Sequence, residues 1–333
     1  MKKIINEPKD FVDEFVDGIL LAHPALLKAI GQDRRVLVRA DAPVSGKVGI
    51  VTGGGSGHLP LFKGYVGRGL CDGVAIGNVF SSPSSAQILE ATKAVDGGAG
   101  VLYLYGNYGG DVFNFDLSID MAELEGIRTR TVLGRDDVAS QPKERAADRR
   151  GVAGIFFAYK AAGAAAERGD SLDEVAAIAE DIIEHTATMG VGLSPTILPT
   201  TGKPSFELAD DEMEIGIGIH GEPGIHRGTL ETADEIAEHL TERLVTDLGI
   251  SAGDRVAVLV NGLGATPLEE LYLLYRRTHQ ILEAKGIAIA KNYVGEYATS
   301  LEMAGASISI LTLTDDRLAL LDAPAESPFF REV

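Results

Sequence analysis

Tryptophan is absent from this chain and cysteine occurs once, at Cys71, so no internal disulfide can form. A lone cysteine fits a reducing compartment, and a small buried hydrophobe is the ordinary role for it. Basic residues are scarce, with 30 lysines and arginines against 49 acidic side chains and a net charge of −19. Such a balance excludes nucleic-acid binding, because phosphate neutralisation needs a basic surface, and it repels an anionic membrane face. Long apolar runs are also missing, so no transmembrane span is expected. The opening MKKIINEP is interrupted by charge and proline before any apolar core, and no secretory leader is readable in it. These readings place the protein in the cytoplasm.

What the chain does have is 333 residues, enough for two ordinary domains, and 40 glycines, many grouped at the ends of apolar runs. Residues 35–39, 47–51 and 100–105 read as strands, and the latter two run into GGGSGH (residues 53–58) and GNYGGD (residues 106–111). Helices follow over 154–168 and 171–189, the second opened by the capping box Ser171 to Glu174. Residues 190–211, rich in Gly, Pro, Ser and Thr, read as a junction between domains 1–189 and 190–333. Beyond it come a strand over 213–219 ending at His220, a helix from Thr232, a strand over 255–260, a helix from Pro267, and strands over 287–294 and 307–313. The pattern predicts an α/β protein of two α/β domains, with glycine-rich loops at the C-terminal strand edges where open sheets bind ligands.

His220 is the most pointed feature. It stands in GIGIHGEPG (residues 216–224), with glycines leaving the imidazole accessible and Glu222 two residues on. Read alone, it is either a solvated turn histidine or a nucleophile or acid–base group. GGGSGH suggests a phosphate loop, but His58-Leu59-Pro60 follows where a Walker loop needs Gly-Lys-Ser/Thr, and position 58 is not the third glycine of a dinucleotide fingerprint. The alternative is a backbone cradle for a small polar substrate with His58 as donor or acid. Asp111 is either a helix N-cap or a general base. NGLGATP (residues 261–267) enters a helix and needs no further role. His220 and His226 lack companions at ligand spacing, so no metal is expected, and no serine elbow supports hydrolase chemistry.

Taken in order, GGGSGH, NYGGD, GIHGEPG, NGLG and TSLEMAG (residues 299–305) resemble the substrate-binding subunit of dihydroxyacetone kinase, the DhaK type. The resemblance spans essentially the whole chain and implies a two-domain α/β subunit, usually a homodimer. It implies that His220 attacks the carbonyl carbon of dihydroxyacetone and holds it as a covalent hemiaminal. Asp111 is then the base on the terminal hydroxyl, His58 a hydrogen-bonding assistant, and Gly53, Gly54, Gly55 and Ser56 the groups that hold substrate oxygens. No cofactor is implied on this chain; phosphate comes from a DhaL-type partner carrying ADP or ATP with Mg. Two positions depart from the family pattern. Leu59 replaces an acidic residue of the usual GHEP turn, and Gly106 replaces a lysine that contacts substrate. The missing lysine points to a larger ketose such as erythrulose, or to a paralog that binds ketose as a signal.

Overall fold

The computed structural model describes residues 2–333. Its elements are, in chain order, α1 Phe11–Ala22, β1 Leu27–Ile30, β2 Val36–Arg39, β3 Gly49–Ser56, β4 Gly73–Val79, α2 Ser85–Val95, β5 Val101–Gly106, α3 Gly109–Leu124, β6 Thr129–Gly134, α4 Ile155–Arg168 and α5 Leu172–Glu184. There follow β7 Thr186–Ser194, β8 Glu212–Ile215, β9 His226–Thr229, α6 Ala233–Leu248, β10 Arg255–Gly262, α7 Leu268–Ala284, β11 Ala288–Gly295, β12 Ala304–Thr312, α8 Asp315–Asp322 and the ribbon β13 Ala325–Glu326 with β14 Arg331–Glu332. One sheet has the order β1-β2-β4-β3-β5-β6 and the other β11-β10-β12-β7-β8-β9. Strands β4, β3, β5 and β6 are mutually parallel, whereas in the second sheet β10 and β11 pair in parallel and the other neighbouring strands pair antiparallel. The fold is therefore mixed α/β with two sheets.

The layering follows from which faces are apolar. Strands β3 and β5 are buried throughout, as parallel strands covered on both faces must be. Ile88, Ala91 and Val95 of α2 and Phe115 of α3 pack on Val51, Tyr103 and Tyr105, closing one face of the first sheet. Helices α6 and α7 close one face of the second through Leu240, Leu244, Leu271 and Leu274. Between the sheets lies a shared core built on α4, whose residues from Ile155 to Ala166 are all buried. It joins Leu102 and Leu104 of the first sheet to Leu259, Tyr293 and Leu311 of the second.

Three expectations from the sequence are corrected here. Helix α5 opens on the expected Ser171–Glu174 capping box but ends at Glu184, not Met189. The residues after it, TATMGVGLS, carry β-branched threonines and form β7, which pairs with β12 in the middle of the second sheet. The chain thus passes to the second sheet at Thr186, and α8 returns to pack on α4. The glycines at 53–55 form no turn either. They extend β3, where a Cβ at Gly54 would run into the Phe62 ring and one at Gly55 would lie 2.8 Å from Ser81 N. The turn falls at Gly57, with φ of 108°. Finally, the strand expected to run up to His220 stops at Ile215, and residues 216–225 are the loop of the β8–β9 hairpin.

Candidate active site

His58 leaves the C-terminal end of β3 and is held from the opposite half of the molecule. Its Nδ1 donates to Thr299 O at 2.8 Å, and Leu301 N donates to Gly57 O at 2.7 Å. The 297–301 loop that does this is itself bracketed by buried Asn261. Its Oδ1 accepts from Tyr297 N and Ala298 N, each at 2.8 Å, and its Nδ2 donates to Ala298 O at 2.8 Å. Asn261 and Thr299, whose motifs carried no chemistry of their own, thereby become the mount of the first histidine.

The hairpin loop brings His220 to it, with the two Nε2 atoms 3.1 Å apart. On the far side His220 Nδ1 lies 2.9 Å from Glu222 Oε1, and its backbone N–H donates to Glu222 Oε2 at 2.9 Å. Glu222 is in turn 3.9 Å from Arg150, which is anchored on Asp137 at 2.7 Å. The protons of this relay can be counted. Thr299 O and the Glu222 carboxylate only accept, so each histidine carries a proton on Nδ1. A hydrogen bond between the facing Nε2 atoms then needs one further proton, on one ring or the other. Burial, then the neighbouring His220, push His58 well below the ordinary histidine value, so His58 is the neutral partner. Burial works against ionisation of Glu222, yet the hydrogen bond and charge of His220 prevail and hold its carboxyl at about 2.

Aromatic rings wall this pair. Phe80 stacks on His58 with centroids 5.0 Å apart and meets His220 edge-on at 5.1 Å. Tyr108 meets His220 edge-on at 4.9 Å, and its buried hydroxyl has no hydrogen-bond partner. Asp111 lies in the first turn of α3 but is not its N-cap, a place taken by Tyr108. Burial lifts its carboxyl to about 6, opposed by the Ser82 hydroxyl and by His220, and its Oδ1 is buried without a partner. A carboxyl with a free oxygen and that value is poised to accept a proton near neutrality.

The other expected residues are placed less directly. Gly106 ends β5, where a Cβ would meet the Tyr108 ring at 3.2 Å and Gly151 O at 3.3 Å. Gly53 is roofed by Phe115, and the Ser56 hydroxyl donates to Gly77 O at 2.8 Å inside the sheet. Sequence reasoning passed over Phe80, Ser82 and Arg150. The first two were detectable in principle: FSSPS follows β4, a strand neighbouring β3, and so ends at the same sheet edge.

The Dak1 domain matches residues 17–329. The dihydroxyacetone-binding subunit DhaK of PTS-dependent dihydroxyacetone kinase 2 from Listeria innocua is 44% identical over 99% of both chains. An L-erythrulose kinase from Pectobacterium atrosepticum is 40% identical over all of this chain, which spans 56% of that enzyme. Among solved structures, the dihydroxyacetone kinase operon co-activator DhaQ superposes with a TM-score of 0.89 at 34% identity, covering 98% of this chain and 99% of its own. The chain belongs to the Dak1 domain family, alongside the DhaK-type subunits that it matches from end to end.

Proposed function

We propose that this protein is the ketose-binding subunit of a dihydroxyacetone kinase and captures its substrate covalently on His220. The observation that carries the reading is the relay Thr299–His58–His220–Glu222, with the facing Nε2 atoms 3.1 Å apart, close enough to share a proton. When that proton sits on His58, His220 Nε2 has a free lone pair and attacks the ketone carbon. The oxygen that becomes negative takes the proton from His58 Nε2, giving a hemiaminal hydroxyl and a neutral His58. The imidazolium so formed keeps its Nδ1 proton against the Glu222 carboxylate. Only a carbonyl compound can be held this way, so glycerol is refused by chemistry. Asp111 then takes the proton of the terminal hydroxyl as it attacks phosphorus. Backbone groups of residues 53–55 are the proposed holders of substrate oxygens.

Phosphate is proposed to arrive on a DhaL-type partner that carries ADP or ATP with Mg, and this subunit to work as a cytoplasmic homodimer. The similarity to DhaK subunits of PTS-dependent kinases supports the partner. Gly106 leaves room beside Tyr108, and the similarity to an L-erythrulose kinase supports a four-carbon ketose as an alternative substrate.

The test is carbon NMR of carbonyl-labelled dihydroxyacetone and erythrulose mixed with the protein. The ketone resonance should give way to a tetrahedral carbon, and His220→Ala should abolish the change. A ketone signal unaltered by excess protein overturns the capture. A second reading, a ketose-binding regulator, is favoured by the likeness to the operon co-activator. Capture without phosphorylation of either ketose by any DhaL-type partner would establish it.

A further inference from the structure

Behind the His58 loop, away from His220, lies a second cavity of about 330 Å³. Its walls are Phe11, Phe15 and Ile19 of α1 with Leu59 and Leu301, and Gly57 and Thr299 separate it from the imidazole pair. Into this apolar space projects Lys63, only 2% exposed. Among the described residues its amine has neither a hydrogen bond nor an ion pair, and its Nζ lies 5.2 Å from the centre of the Phe15 ring. A buried lysine normally reaches a carboxylate or a set of carbonyls, as Lys160 does with Leu320 O and Ala323 O. Leu59, which stands where the family pattern has an acidic residue, lines the same cavity and adds no carboxylate to it.

We infer that this cavity is a second carbonyl site, where the Lys63 amine condenses with an apolar aldehyde or ketone to form an imine. The amine nitrogen adds to the carbonyl carbon, and the carbinolamine then loses water. Glu296, which lines the same cavity, is the group that can protonate the leaving oxygen and take back the proton from nitrogen. Burial raises its carboxyl, as that role needs. Amine and carbonyl give imine and water, and nothing is oxidised or reduced. Burial, reinforced by the charge of Arg35, brings Lys63 down to about 7, so the free amine is abundant at neutrality. Its charged and titratable neighbours are Arg35 and His58, and Glu296 lies elsewhere on the cavity wall. A carboxylate ligand would meet Glu296, whereas a neutral carbonyl with an alkyl tail suits the walls.

The test is reductive trapping of the full-length protein with hexanal and cyanoborohydride at neutral pH, with each modified lysine located by peptide mass spectrometry. Lys63 should be alkylated at least about tenfold faster than exposed Lys9, Lys93 and Lys203. Leu59→Glu keeps the lysine but supplies a counter-ion, and should suppress that labelling to the level of the exposed lysines. His220→Ala should leave it unchanged. Lys63 reacting no faster than the exposed lysines, Leu59→Glu labelling like the wild type, or loss of labelling in His220→Ala would each overturn the inference. None of these outcomes depends on capture at His220.

Discussion

At the scale of single residues, Asp111 shows how a site works against the stability of its own fold. Its carboxyl ionises at about 6 in the folded protein against an ordinary value of 3.8. A raised value means that the folded state holds the proton more tightly than the unfolded chain. The penalty for the charged form is therefore absent below pH 3.8, grows between 3.8 and about 6, and is complete above. Asp111 is 7% exposed, so solvent screens little of this, and the shift corresponds to roughly 2–3 kcal/mol. Asp111→Asn should accordingly raise the melting temperature at pH 8 and change it little at pH 4, while ending phosphoryl transfer. In the wild type the transfer rate should climb through pH about 6 and level off above, following the base form of Asp111. A rate for Asp111→Asn close to wild type in the same coupled assay would remove Asp111 from the mechanism. Gly106 makes a second, smaller case. Gly106→Ala places a methyl 3.2 Å from the Tyr108 ring, and should weaken erythrulose binding more than dihydroxyacetone binding in a titration.

At the scale of elements, the site depends on a loop that touches no substrate. The 297–301 segment between β11 and β12 fixes His58 through Thr299, and Asn261 at the end of β10 fixes that segment. Asn261→Ala leaves the Tyr297 and Ala298 N–H groups without acceptors in a buried place, at a cost of roughly 2–4 kcal/mol. It should lower the denaturation midpoint and also weaken ketone capture, since His58 loses its seat. Asp111→Asn, by contrast, should leave capture intact, so the ketone resonance separates mounting from catalysis. Glycine acts at this scale too. Gly54 and Gly55 of β3 let Phe62 and the 80–81 segment approach the strand, and Phe80 thereby reaches the face of His58. Their legible signature was a turn, whereas the packing uses them as a strand, because side chains from elsewhere in the chain fill the space a Cβ would take.

For the whole molecule, the shared core decides how it unfolds. Helix α4 is buried along its length between two sheets, and α8 and the β13–β14 ribbon close over it. Neither half can complete its core alone. Calorimetry should show one cooperative transition, and a fragment of residues 1–189 should fail to fold by circular dichroism and proton NMR. Two well-separated transitions would contradict this, as would a folded 1–189 fragment. Strand β7 gives the structural reason, since it lies between β12 and β8 and a cut at 190 would sever it.

Local chemistry was readable without coordinates. The alternation of apolar runs with glycine and capping signals determined an α/β chain, and the caps at Ser171 and Thr232 form as those signals require. His58, Asp111 and His220 could be singled out because histidines and carboxylates in glycine-bounded loops are local patterns. Distances between elements are not local. The 3.1 Å approach of His58 to His220 joins residues 162 positions apart. Their proton count, the burial that sets Asp111 at about 6, the mounting by Asn261 and Thr299, and the isolation of Lys63 all arise from groups brought together across two sheets. The sequence by itself determined which side chains were available for chemistry. Tertiary structure decided which of them share a proton, because desolvation and hydrogen bonding depend on neighbours in space and not along the chain.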